Sequence, residues 1–236
     1  MFKPDLPKTA FGTILCNLHY LNHKSTFPAM SISSIHRLLG NTDIYLVDQI
    51  LKNRYAASDR ILDAGCGRGR NLQWFLAQDM EVYASDRDPE TISNLLLDHP
   101  TLKKDRVQCC PVETMPYDDN FFDHIISSAV LHFAENEDHF LGMIAEMVRV
   151  LKPGGSLFIR MTTDRSIENR TQPLGQGVYL IPDGSTRFLL TDALLQKVLH
   201  RFNLSLAEPF KFVNVEDLRA MCTLLLVKTR PETAFD

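Results

Sequence analysis

The sequence predicts an α/β fold: seven strands in a mostly parallel sheet, helices on both faces, and an antiparallel last strand. Three observations carry that expectation. From residue 60 onwards, short apolar runs alternate with stretches of helical period, the pattern of a parallel sheet crossed over by helices. The first junction, Arg60-Ile61-Leu62-Asp63-Ala64-Gly65-Cys66-Gly67-Arg68-Gly69-Arg70-Asn71, interrupts an apolar strand with three glycines on alternate positions before a helical stretch from Asn71 to Gln78. The chain then closes on two strands joined by only Glu216 to Ala220, a link that pairs them antiparallel at the sheet edge.

Composition sets the bounds. With 236 residues, 44% hydrophobic and 23% charged, the chain suffices for one sizeable α/β domain with some additions. Lys and Arg total 25 against 29 Asp and Glu, a net charge of −4 with no basic block, which argues against a nucleic acid substrate. The five cysteines lack Cys-x-x-Cys spacing or histidine neighbours for zinc, so reduced thiols and a cytoplasmic location are expected. No apolar run reaches the length of a membrane span, and Thr13 to Leu21 is interrupted by Asn17 and His19, so no membrane association is expected.

Residues 1–32, with Pro4, Pro7 and Pro28, read as a tail or partial lid with a short helix from Phe11 to Tyr20; the domain proper runs from 33 to 230. Ser33 or Ser34 caps a short helix over Ile35 to Leu39, which Gly40-Asn41 stops. Thr42 caps a second, with Ile44, Val47, Ile50 and Leu51 on one face. The glycines after Arg60–Ala64 permit positive φ and close approach of backbone to a ligand, and the helix that follows offers unpaired N–H groups, so an anionic small molecule is expected there. Glu81 to Asp86 is the second strand, and Asp86 at its tip can take both hydroxyls of a ribose, with Arg87 against an adenine. Asp88 with Pro89 behind it caps the next helix. Arg106 to Val112 is the third strand, where Cys109 and Cys110 read as packing residues. The fourth, within Asn120 to Phe133, runs out into Ser127 and Ser128, which should line a pocket at the switch point between the first and fourth strands. His132, the histidine nearest that point, can take a proton near neutral pH. Phe140, Ile144, Met147, Val148 and Leu151 stripe a helix that ends at Lys152-Pro153-Gly154-Gly155, and Ser156 to Arg160 is the fifth strand. Residues 161–190 show no regular period and read as the region that selects substrate. Leu190 to Phe202 stripe a helix capped by Thr191 or Asp192; the strands Leu204 to Val215, broken near Pro209, and Met221 to Thr229 follow.

The loop spacing is Gly-x-Gly-x-Gly, not the Gly-x-Gly-x-x-Gly of pyrophosphate binding, and Asp63 would repel a pyrophosphate but accept hydrogen bonds from an ammonium. Together with Glu113-Thr114-Met115-Pro116 and Arg149-Val150-Leu151-Lys152-Pro153-Gly154-Gly155, this loop resembles the motifs of class I S-adenosylmethionine-dependent methyltransferases of the type 11/25-like group, from about Arg60 to Arg160 by motif and to Thr229 by element order. The resemblance implies a Rossmann-like fold and S-adenosyl-L-methionine as cofactor, released as S-adenosyl-L-homocysteine. It further implies that the loop residues Asp63, Ala64, Gly65, Cys66, Gly67, Gly69 and Asn71 wrap the methionine part, with Asp63 near its amino group, and that Val112 and Glu113 hold adenine. N-terminal helices in this family often close over the cofactor, which brings in Tyr45, Arg54 and Tyr55.

The functional expectation is methyl transfer to a small-molecule acceptor by in-line displacement, with positioning and desolvation carrying most of the rate and no metal required. His132 is the first candidate for a general base and Asp164 the second; Arg160 and Arg187 can pair with an anionic acceptor, and Tyr45 is a further substrate contact. The protein is expected to be a monomer or homodimer. The alternative is a cofactor-binding partner subunit without transfer activity of its own. A nucleotide-dependent oxidoreductase is disfavoured by the loop spacing and by Asp63.

Overall fold

The computed structural model describes residues 31–230, so the tail or lid expected over residues 1–32, with its Phe11 to Tyr20 helix, lies outside the described residues except for Ser31 and Ile32, which cap and open the first helix. Two helices come first. In α1 (Ile32–Leu39) the cap is Ser31, whose hydroxyl accepts the Ser34 N–H at 3.1 Å, so the helix starts three residues before its expected first residue. In α2 (Ile44–Leu51) the cap is Asp43, accepting from the Tyr45 N–H at 3.0 Å; Thr42, the expected cap, instead donates its hydroxyl to the carbonyls of Leu39 and Arg70.

The central sheet is built from β1 (Arg60–Ala64), β2 (Glu81–Asp86), β3 (Val107–Cys109), β4 (Phe122–Ser128) and β5 (Leu151–Thr162), all parallel. Between them lie α3 (Gln73–Ala77), α4 (Pro89–Asp98) and α5 (Glu137–Val150). After β5 come β6 (Gln172–Gly175), β7 (Val178–Leu180), β8 (Thr186–Phe188), α6 (Asp192–Arg201), β9 (Leu204–Leu206), β10 (Lys211–Val215) and β11 (Arg219–Lys228). Across the main sheet the order is β10-β11-β5-β4-β1-β2-β3, with β9 also on β11; β9, β10 and β5 all pair with β11 antiparallel. The expected break near Pro209 is therefore the gap between β9 and β10, which sit one after the other along the same edge of β11.

Alternation along the strands divides the core in two. Leu62, Ile125 and Ile159 face Phe140, Ile144 and Met147 of α5 and Leu194 and Val198 of α6. Their chain neighbours Ile61, Ile126 and Phe158 face Leu46 and Ile50 of α2, Phe75 of α3 and Leu95 of α4. Each face is sealed by helices, as buried parallel strands require.

Four elements depart from expectation. The helix after the glycine loop is only Gln73–Ala77, because Asn71 is spent holding another segment (below). Strand β3 is three residues long: Arg106 belongs to a preceding 3₁₀ turn, and Pro111 has no N–H to offer a ladder. Helix α5 ends at Val150 and Leu151 is already extended (φ −81°, ψ 133°), as suits a segment approaching Pro153. Residues 172–188, read as irregular, form a separate antiparallel sheet β6-β7-β8 held against the body by Ile167, Ile181, Leu189 and Ala220. Among the described residues no helix is long and apolar enough to cross a membrane, and Cys66, Cys109, Cys110 and Cys222 are free thiols.

Candidate functional site

Since the chain passes outward from β1 through β2 to β3 and then returns to β4 on the other side of β1, the carboxyl ends of β1 and β4 diverge and leave a crevice. The glycine loop fills the base of that crevice. The N–H groups of Gly65 and Cys66 both donate to the Ser85 carbonyl (2.8 and 2.9 Å), tying the loop to β2, and the Gly67 N–H donates to Asp86 Oδ2 at 3.0 Å. Asp86 Oδ1 accepts the Asp88 N–H at 3.1 Å, and Asp88 caps α4 as expected. Gly65 has φ +74°, and a Cβ there would lie 2.5 Å from Val130 Cγ2, so glycine is required both by backbone and by space.

Asp63 lies beneath the loop, 1% exposed, and its Oδ2 has no hydrogen-bond partner. Burial pushes its carboxyl up to about 7; Arg70 opposes the shift and Asp86 adds to it. A buried carboxylate oxygen left without a donor is the arrangement a cationic group would complete.

Above the loop opens a cavity of about 430 Å³. Of the sequence-predicted residues, Gly65, Cys66, Gly67, Asp86, Arg87, Val112, Glu113 and Ser128 line it. Sequence reasoning missed Arg68, Arg70, Pro111, Val130, Phe133, His139 and Met143, which also line it. Arg70 stands within the quoted motif and donates from Nη2 to Ser128 Oγ at 2.8 Å, joining the loop to the end of β4. His139, on the first turn of α5, lies 3.5 Å from Glu113. Phe133 and Met143 come from later elements, and nothing in their local sequence marks them.

The other predicted residues are placed elsewhere. Ala64 is buried in the core. A Cβ on Gly69 would meet Leu95 and His99, on the outer side of the loop. Asn71 is buried and its Oδ1 accepts the Asp43 N–H at 3.1 Å, fastening α2 to the loop. Ser127 is fully buried with no partner for its hydroxyl. Tyr45, Arg160 and Asp43 form one assembly: the Arg160 guanidinium lies 4.5 Å over the Tyr45 ring, donates from Nε to Asp43 Oδ2 at 3.3 Å, and reaches Thr223 Oγ1 at 3.2 Å. Arg54 pairs with Glu208, and Tyr55 packs edge-on against Phe75. Arg187 reaches the cavity rim indirectly, 5.0 Å over the Phe133 ring.

His132 follows β4 in a 3₁₀ turn, 6% exposed, with Nδ1 unpartnered and its ring edge-on to Phe133. Burial first, then Arg187 and Arg219, hold its imidazole down at about 4, so at neutral pH it is uncharged. Phe133, not His132, presents to the cavity. Asp164 lies past the end of β5, its carboxyl raised by burial and by Glu168, with the Thr163 hydroxyl 3.4 Å away. Among the described residues, no group of three or more His, Cys, Asp or Glu is arranged to hold a metal ion.

Residues 62–159 match the family described as "Methyltransferase domain". Among curated proteins, a tRNA (carboxymethyluridine(34)-5-O)-methyltransferase of Arabidopsis thaliana is 34% identical over 118 residues, 48% of this chain and 28% of that protein. A probable tRNA methyltransferase 9B of Mus musculus is 29% identical over 135 residues, 53% of this chain and 28% of that protein. A malonyl-[acyl-carrier protein] O-methyltransferase of Halorhodospira halophila is 30% identical over 100 residues, 42% of this chain and 33% of that protein. The chain thus spans a third or less of the length of these relatives. Among solved structures, a SAM-dependent methyltransferase of Methanosarcina mazei superposes with a TM-score of 0.65 at 20% identity, covering 77% of this chain and 98% of that one. The 1,6-didemethyltoxoflavin-N1-methyltransferase of Burkholderia thailandensis gives 0.60 at 20% identity, covering 84% and 82%. Residues 62–159 are thus similar to a methyltransferase domain, and the fold is shared with methyltransferases of known structure.

Proposed function

We propose that this protein transfers a methyl group from S-adenosyl-L-methionine to a small-molecule acceptor, releasing S-adenosyl-L-homocysteine. The observation that carries the reading is the pairing of an unsatisfied buried carboxylate, Asp63, with a cavity of about 430 Å³ directly over the glycine loop, within the size range of small-molecule sites. The fit of the cofactor to these residues follows from charge and shape. Asp63 answers its ammonium, Asp86 its two ribose hydroxyls, and the wall of Arg87, Val112 and Glu113 its adenine; Gly65 and Gly67 let backbone come close. Bound there, it supplies a methyl group on a positively charged sulfur, electrophilic without further activation.

What this chain adds is placement and exclusion of water. Ser128 and Arg70 define the end of the cavity nearest the switch point, Phe133 and Met143 supply an apolar wall, and Arg187 above Phe133 presents positive charge to an anionic acceptor. Neutral His132, next to Phe133, serves as proton acceptor for a nucleophile that arrives protonated, with Asp164 as the second candidate. A tRNA acceptor is the second reading, favoured by the two curated relatives named for tRNA methylation. Incubation with methyl-tritiated S-adenosylmethionine and either a small-metabolite fraction or total tRNA separates the readings. Label in small molecules supports the first and label in tRNA the second. Cofactor binding with no label in either leaves the partner-subunit reading.

A further inference from the structure

We propose that a second groove, on the outer side of the glycine loop, is an anion subsite that takes a phosphate-class oxyanion carried by the acceptor; the acceptor part of this inference rests on the methyltransferase reading above. The groove has a volume of about 500 Å³ and is lined by His36, Arg37, Arg68, Arg70, His99 and Gln73 with glycine and asparagine backbone between them, and no carboxylate lines it. Three elements converge to make it: the last turn of α1, the glycine loop, and the C-terminal end of α4.

Two ordinary explanations account for parts of the cluster but not the whole. Cations in the last turn of a helix are favoured by its dipole, which suits His36 and Arg37, both exposed at the end of α1. Arg68 is ion-paired with Asp98, donating from Nε and Nη2 to Oδ2 at 3.0 and 2.7 Å. Arg70 is only loosely matched: its ion pair with Asp43 is 3.7 Å long and is shared with Arg160, and it also acts on the buried Asp63 carboxyl. None of the ion pairs among the described residues engages Arg37. A protein of net charge −4 thus gathers three guanidiniums in one concavity, of which, among the described residues, Arg37 has no acid partner and Arg70 has only the shared one at 3.7 Å. Guanidinium forks match oxyanions in pairs, and a phosphate offers two guanidiniums more acceptor oxygens than a single carboxylate does.

Arg68 and Arg70 line both this groove and the cofactor cavity, and Arg70 donates to Ser128 Oγ at 2.8 Å, so the two sites share a wall. The groove is compact and the chain as a whole acidic, which favours a small phosphorylated acceptor over a polynucleotide, whose backbone needs an extended basic track.

The test titrates inorganic pyrophosphate and S-adenosylhomocysteine separately into wild type and into Arg37→Glu, a surface substitution remote from the cofactor cavity. Saturable pyrophosphate binding that weakens at least tenfold in Arg37→Glu, with S-adenosylhomocysteine affinity within twofold of wild type, is the expected result. No saturable pyrophosphate binding, or equal binding by the variant, overturns the subsite. Loss of S-adenosylhomocysteine binding in wild type would instead overturn the methyltransferase reading and leave the groove result standing. A 12-nucleotide single-stranded RNA binding far more tightly than pyrophosphate, with a steep salt dependence, would overturn the assignment to a small acceptor. In the tritium assay, the labelled small-molecule product is expected to change mobility on phosphatase treatment; a phosphatase-insensitive product would overturn the acceptor class.

Discussion

Asp63 and Asp86, 23 positions apart, occupy opposite electrostatic situations. Asp86 accepts two backbone N–H groups and lines the cavity, whereas Asp63 is buried with one oxygen bare. Because burial raises Asp63 to about 7 from an ordinary 3.8, the folded state holds a proton that the unfolded chain has lost between those values. That contribution to stability is present at acid pH and disappears as pH rises through 7. Asp63→Asn is therefore expected to raise the melting temperature more at pH 8 than at pH 5, while abolishing measurable S-adenosylhomocysteine binding. Equal melting shifts at the two pH values would contradict the raised pKa. His132 has the opposite sign. Held at about 4 against an ordinary 6.5, it stays neutral in the folded state, so its contribution is present above 6.5 and is lost as pH falls toward 4. His132→Gln should flatten the drop in melting temperature between pH 7 and 4.5, keep cofactor affinity, and lower turnover; full turnover would make the residue structural. For Asp86→Ala, losing two hydrogen bonds to a charged acceptor at about 1.5–3 kcal/mol each predicts an affinity loss of roughly 100- to 10,000-fold in a folded protein. Unchanged affinity would remove Asp86 from the ribose role. Both acids were legible in the sequence because strand-end carboxylates have a fixed geometric meaning in parallel sheets. Arg70 was not singled out, since its value lies in reaching Ser128, 58 residues later, a pairing no local pattern records.

At the scale of elements, the glycine loop is joined to the N-terminal helices by two contacts that look incidental in sequence. Asn71 accepts the Asp43 N–H, and the Thr42 hydroxyl donates to the Arg70 carbonyl. This explains why α3 begins at Gln73 and not at Asn71: the chain turns through the residue that bonds to α2 before it can coil. Asn71→Ala leaves the Asp43 N–H without its acceptor and should cost about 1–2 kcal/mol in urea unfolding, with weakened cofactor binding as the loop loosens. A change below 0.3 kcal/mol would make the contact dispensable. Gly65→Ala tests the loop from inside. Positive φ costs a non-glycine residue roughly 1–2 kcal/mol, and the added methyl collides with Val130; Val130→Ala should recover the steric part and leave the backbone part. The helices with strong apolar stripes and the buried strands were legible because period alone specifies them. The sheet of β6, β7 and β8 was not, because its strands are three or four residues long and carry Pro173, Gly175 and Gly177, and their pairing is visible only in three dimensions.

Across the whole molecule, the order of motifs along the chain was enough to imply the switch point between β1 and β4, and hence which end of the sheet holds the site. The acceptor was not legible, and the reason is physical: one side of the cavity is made by strand ends and the glycine loop, whereas the other is made by Phe133 and Met143, with Arg187 over the Phe133 ring, brought together only by packing. The central claim is that this crevice binds S-adenosylmethionine. Calorimetric titration of the purified protein with S-adenosylmethionine, S-adenosylhomocysteine and NAD tests it most directly. The account predicts saturable one-to-one binding of the first two and none of NAD. Binding of NAD alone, or of none of the three, would contradict it.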